Sequence, residues 1–402
     1  MKGLKWALGA PAAAVLLTIA TGLAGCKGFW DPPASSGTGG TGSGAASGVF
    51  YVLNSGTQKL AGFSFASGAT TPTAVTGTPV TLGAAPLSMA VAPTGGFLYV
   101  STGGGIVAFS IGSGGTPTLL NNGQVISSDI PTAMAVDETG TWLLESTSGT
   151  GVLDAIPVST TTGLVDSTRT EQPVNLPNTD VNQIALSTSG TATPRVFVAM
   201  GSGGTAVIPF TASGANANPF GVVSVIATKN TTGAAAAVAV DPNERLLYVG
   251  ETVAITGNNV TQTGGLRVFP IGASGIGTEV SGSPYSTGGI GPSAILATAN
   301  YVYVANKTVS GQTPGNITGY PVSSTGGVYS LGTLINTVNA GDSTVGLAMD
   351  STSTYVLAVN SSGSPDLSTF TFDKTTPGKL DAGATAATGT DPVQATAIVA
   401  VP

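Results

Sequence analysis

From residue 49 onward the chain alternates between short apolar runs and stretches of Gly, Ser, Thr, Pro and Asp. The runs are four to eight residues long and rich in Val, Ile, Leu and aromatics, which predicts β-strands bounded by turns. No run beyond the N-terminal segment carries a helical period. Seven runs are near-copies: "VFYVLN", "GFLYVST", "GTWLLEST", "RVFVAMG", "RLLYVGE", "NYVYVAN" and "TYVLAVN". They begin near residues 50, 97, 142, 196, 246, 301 and 355, a period of about 50 residues, which belongs to solenoids and propellers. In each unit a first strand such as "PTAMAV" leads through a turn such as "DETG" to this second strand. A third such as "GVLDAIPV" follows, then a Thr/Gly-rich stretch ending in a fourth. Four-stranded units set radially are propeller blades.

The two ends of the chain argue for a closed ring. The first copy, "VFYVLN", has no "P-x-x-x-A-V" strand before it, and the terminal "DPVQATAIVAVP" at 391–402 is such a strand with no second strand after it. Together they complete one blade. The expected fold is all-β, a seven-bladed β-propeller over residues 49–402, with N- and C-terminal strands sharing a blade.

The N-terminus reads differently. "MKGLK" is basic, the next 20 residues are apolar, and "LAGC" ends at Cys26, the only cysteine of the 402-residue chain. Residues 1–25 have the form of a cleaved export signal, and "LAGC" resembles the bacterial lipobox. That resemblance implies lipidation of Cys26, membrane lipid as a partner, and a location in the bacterial cell envelope, anchored to the inner or outer membrane on its extracytoplasmic side. Residues 26–48 then form a Gly/Ser-rich flexible linker.

Composition removes several kinds of chemistry. Only 12 Lys and Arg are scattered against 19 Asp and Glu, a formal charge of −7, so no basic stripe exists to meet nucleic-acid phosphates. There is no histidine. That removes Ser–His and Cys–His nucleophile pairs and every imidazole metal site.

The candidate site residues come from the repeat itself. Glu145 occupies the second-strand column held elsewhere by Val52, Val100, Val198, Val249, Val304 and Ala358. A carboxylate there is costly unless it is paired. Three readings follow: a structural bond to a donor such as Arg169 or a backbone N–H, a turn toward solvent, or a raised pKa at the central channel as base or ligand. The column closing the second strands reads Asn54, Thr102, Thr147, Met200, Glu251, Asn306 and Asn360, while Asp129, Asp180, Asn182, Asp342 and Asp391 precede first strands. These positions ring one mouth of the channel. Asn54, Asp129, Asn182, Asn306, Asp342 and Asn360 are candidate ligand-binding residues, and Glu145 and Glu251 candidate catalytic carboxylates. Such oxygen donors suit calcium; they equally satisfy local loop amides.

"PTAMAVDETGTWLLEST", "AVDPNERLLYVGE" and "DKTTPGKLDAGATAATGTDPV" carry a resemblance to the lactonase-type, YVTN-repeat propellers, the group that includes bacterial 6-phosphogluconolactonase. It covers residues 49–402 and implies the fold. For activity it implies a His/Arg/Glu constellation that a chain without histidine cannot carry. The expected function is therefore a ligand- or protein-binding module without catalysis, with an extracytoplasmic hydrolase of lactones or esters, metal-assisted in one version, as the alternative.

Overall fold

The computed structural model describes residues 47–188, 193–212, 217–255, 264–309, 311–363, 366–386 and 394–402. They form seven antiparallel sheets, the blades of one propeller. The strand nearest the axis is Ala395–Ala400 in blade 1, Pro86–Val91 in blade 2, Ala133–Val136 in blade 3 and Gln183–Leu186 in blade 4; Ala235–Val240, Ile290–Ala297 and Thr344–Met349 serve blades 5 to 7. Each of these strands touches the next, and the last touches the first, so the ring is closed.

Closure uses the two chain ends as their reciprocal gaps predict. Ser47–Asn54 pairs with Ala395–Ala400, with Val52 opposite Ile398 and Leu53 opposite Ala397. Blades 1, 5 and 6 depart from the expected four strands: their outer edge is split into two short strands. Cys26, the residues expected to form the leader, those of the expected linker up to residue 46, and Asp391 lie outside the described residues. Among the described residues no helix is long and apolar enough to cross a membrane.

The strands are apolar on both faces because each blade is covered by a neighbour on either side. Residues of alternate parity feed different seams: Tyr51 and Leu53 pack toward blade 2, whereas Phe50 and Val52 pack toward blade 7. Tyr99, Tyr248 and Tyr303 are buried, as their recurrence at blade positions implies. Phe65 and Tyr355 stack across the closing seam at 4.0 Å between ring centres.

In blades 3, 5 and 7 the turn between first and second strands is held by one buried aspartate. Asp137 Oδ1 accepts from the Thr141 and Trp142 amides at 2.8 and 2.7 Å, and Asp350 repeats this with the Thr354 and Tyr355 amides. In "DPNER", Asp241 Oδ1 accepts from the Asn243 and Arg245 amides. These carboxylates are consumed by backbone donors that would otherwise be buried without partners. They mark the fold rather than a site.

Candidate functional site: an acidic row on blade 3

Strand register verifies the column in which Glu145 stands apart. Glu145 lies between Met134 of the first strand and Asp154 of the third. The equivalent third-strand residues are Ala61, Val107, Ala206, Arg267, Thr318 and Ser368. Blade 3 therefore sets two carboxylates directly opposite one another, a spacing at which like charges repel.

Two further acids complete the group. Glu171 immediately precedes the fourth strand, Gln172–Asn175, and is hydrogen-bonded to Asp154. Asp129 comes from the connection between blades 2 and 3. That connection is pinned to blade 2, where the Ile106 amide donates to the Ser127 carbonyl at 2.9 Å. The approach requires Gly105, at φ +123°, because a Cβ there would lie 2.4 Å from the same carbonyl. Ser127 then holds Asp129: its hydroxyl donates to the carboxylate and accepts from the Asp129 amide at 3.1 Å. One carboxylate oxygen each of Asp129, Glu145 and Glu171 lies within 4.8 Å of the other two.

Among the described residues none of these four acids has an ion-pair partner. Glu145 is 2% exposed, and its Oε2 has no hydrogen-bond partner. Burial first, then the charges of Asp154, Asp129 and Glu171, push its pKa up to about 8. Glu171 is pushed up to about 7 by partial burial and by the same neighbours. Asp154 is also raised, by burial and the charge of Asp129.

Arg169, the side-chain donor named in the structural reading of Glu145, does not serve that carboxylate. It pairs with Asp166 at 2.9 Å, donates to the Thr141 carbonyl at 2.8 Å and lies over the Trp142 ring. A partner three residues away in a tight turn outcompetes one across the blade. Nor does Glu145 turn to solvent. Its carboxylate faces the other acids of blade 3 and the blade 2–3 connection.

The remaining sequence candidates do not join this group. Glu251 is buried and bonded to Arg267 Nη1 at 2.7 Å and to the Lys229 amide at 2.8 Å. Asn182 donates to the Ala235 carbonyl, tying blade 4 to blade 5. Asn306 donates to the Thr287 carbonyl and to Asn316; Asn360 bonds Thr344 and Ser368. Asn54 is fully buried at the end of its strand. Asp342 lines a separate cleft of about 230 Å³ with Pro314, Asn339, Gly341, Ser368 and Thr385. Sequence reasoning placed Asp129 and Glu145 but missed Asp154 and Glu171. Asp154 stands in a third-strand column that mixes Ala, Val, Arg, Thr and Ser, so aligning the third strands does not single it out.

Three solved structures share this fold. A candidate 6-phosphogluconolactonase of Bacteroides fragilis superposes with a TM-score of 0.63 at 12% identity, covering 89% of this chain and 99% of its own. A Lactobacillus plantarum protein gives 0.60 at 17% identity, covering 88% and 98%. The periplasmic gluconolactonase of Pseudomonas aeruginosa gives 0.56 at 14%, covering 88% and 99%. No curated protein sequence matches the chain. The family model described as the seven-bladed β-propeller lactonase matches residues 53–397, and the chain belongs to that family.

Proposed function

We propose that this propeller is a lactonase-like hydrolase acting outside the cytoplasm on neutral, hydroxylated lactones, with its chemistry in the acidic row of blade 3. The observation that carries the reading is the opposed pair Glu145 and Asp154, in a propeller whose other blades keep Ala, Val or another uncharged side chain against the equivalent of Glu145, apart from Arg267. Family membership supports the alternative expectation over that of a module that only binds.

Two opposed carboxyl groups can divide acid and base roles. With its pKa at about 8, Glu145 is protonated at neutral pH and can donate a hydrogen bond to the lactone carbonyl oxygen, where negative charge develops. Asp154 takes a proton from water as the water oxygen bonds to the carbonyl carbon. The tetrahedral intermediate then collapses, the ring C–O bond breaks, and Asp154 returns the proton to the departing oxygen. No histidine is required.

The charge of the row selects among lactones. Carboxylates accept hydrogen bonds from sugar hydroxyls and repel a phosphate, which favours an unphosphorylated sugar lactone over 6-phosphogluconolactone. The relative from Pseudomonas aeruginosa is described as a periplasmic gluconolactonase, in keeping with the export signal and a lipid anchor at Cys26.

Acid release from glucono-δ-lactone measures the reaction directly. The wild type should turn over this lactone with a higher kcat/KM than its 6-phosphate, and Asp154→Asn should lower kcat by about 100-fold or more. Absence of turnover on either lactone would return the protein to the binding-module reading.

A further inference from the structure

The acidic row sits where the rest of the chain does something different with buried carboxylates. In blade 5 the cross-strand position opposite Val249 is Arg267. Arg267 binds Glu251 at 2.7 Å and Glu279 at 3.1 Å, and Lys229 adds a second cation to Glu279 at 3.1 Å. Two acids there meet two bases. In blade 3 four acids meet none among the described residues; the most buried of them, Glu145, brings a carboxylate oxygen within 4.8 Å of those of Asp129 and Glu171, and its Oε2 has no hydrogen-bond partner. An isolated buried carboxylate oxygen is unfavourable, and it remains in this fold beside three more acids contributed by separate segments.

We infer that Asp129, Glu145 and Glu171 form a binding site for a divalent cation of the calcium class at the seam of blades 2 and 3. The donors are all carboxylate oxygens. With no histidine in the chain, the set suits hard cations rather than zinc or copper. An all-carboxylate set without imposed octahedral order favours calcium over magnesium. The three oxygens lie within 4.8 Å of one another. At the outer limit of that spacing, a cation equidistant from all three stands about 2.8 Å from each. Closure by about 0.3 Å reaches calcium distances, whereas magnesium at about 2.1 Å demands about 0.7 Å and a strict octahedron. Asp154, hydrogen-bonded to Glu171, orients one ligand from outside the set. The supports are equally specific: Gly105 admits the connection that carries Asp129, and Ser127 fixes its carboxylate.

Cation binding shares its site with the hydrolase reading but does not need turnover. In a cation-bound protein the metal would stand in place of the Glu145 proton as the group that polarises a carbonyl.

The test uses the full-length chain in detergent, stripped with EDTA and dialysed, then titrated calorimetrically with CaCl2 in the absence of any lactone. One calcium should bind per chain, with a rise in thermal midpoint and at least tenfold weaker binding of MgCl2. Asp129→Asn, a substitution in an interblade connection, should weaken calcium binding at least tenfold while the folded spectrum is retained. Glu145→Gln should do the same. Asp342→Asn, at the separate cleft, should leave it unchanged. No saturable calcium binding by the wild type, or binding unaltered by Asp129→Asn, would overturn the inference. Binding without lactone turnover would overturn only the hydrolase reading, and turnover without binding only the cation.

Discussion

Arg267→Met should destabilise the protein by about 3–5 kcal/mol, read as a lowered urea midpoint with an unchanged slope. The guanidinium binds Glu251 Oε1 at 2.7 Å, Glu279 through two nitrogens at 3.3 and 3.1 Å, and the Ala227 carbonyl at 2.7 Å. Burial alone would raise the pKa of Glu279. Hydrogen bonds from Arg267, Ser283 and Lys229 outweigh it and hold the carboxyl below its usual range. Methionine removes the guanidinium, which also lies over the Phe269 ring; Glu279 keeps Lys229 and Ser283, but Glu251, 1% exposed, loses its only cation among the described residues. Adding Glu251→Gln to Arg267→Met should recover part of the loss, because it removes the buried charge left without a cation. A loss below about 1 kcal/mol would mean that the network contributes no more than an exposed surface pair.

Glu145→Gln should have the opposite sign. In chelator, wild-type stability should fall as pH rises from about 4.5 to about 8, and the substitution should remove much of that fall. The unfolded carboxyl titrates near 4.5 and the folded one near 8. Between those values the native state binds more protons than the unfolded state, so raising the pH favours unfolding. Below about 4.5 both states are protonated and the difference vanishes. A tenfold difference in proton affinity between the two states corresponds to about 1.4 kcal/mol. Glutamine, uncharged at every pH and of the same shape, should therefore make the protein more stable than wild type at pH 9 by roughly 2–4 kcal/mol, with little difference at pH 4.5. Thermal or urea unfolding of both proteins across this range measures it. A wild-type curve that is flat or rises with pH would show that Glu145 is paired in solution.

The contrast between these substitutions separates support from function. A fold-supporting carboxylate is matched by backbone amides, as at Asp137 and Asp350, or by a cation, as at Glu251. Glu145 is held against its own preference, as expected where stability is given up at a working site.

Much of the fold was legible in the sequence because a propeller repeats its instructions. The second-strand copies aligned residue by residue, and the register of all seven blades keeps that alignment. The reciprocal missing strands at Ser47–Asn54 and Ala395–Ala400 announced the closed ring. Glu145 stood out for the same reason, as a departure in a column of aliphatics. The neighbours of Glu145 were harder to read. Asp154 lies in a third strand whose column runs through Ala61, Val107, Thr318 and Ser368 and is too varied for one acid to stand out. Glu171 sits in an unrepeated stretch before the outer strand, where position depends on loop length. The asparagines at strand ends were placed correctly along the chain. Whether Asn306 or Asn360 faces a ligand or its own blade depends on hydrogen bonds to residues such as Thr287 and Thr344, which sequence alone does not rank.

One measurement bears most directly on the claim that the blade 3 row exists for chemistry. Glucono-δ-lactone hydrolysis and the thermal midpoint should be determined at pH 8 on the same preparations of wild type and Glu145→Gln. The account predicts a fall in kcat/KM of about 100-fold or more with a midpoint in chelator equal to or above that of the wild type. Full activity in the variant, or loss of activity together with a lowered midpoint, would contradict it and make Glu145 a structural residue.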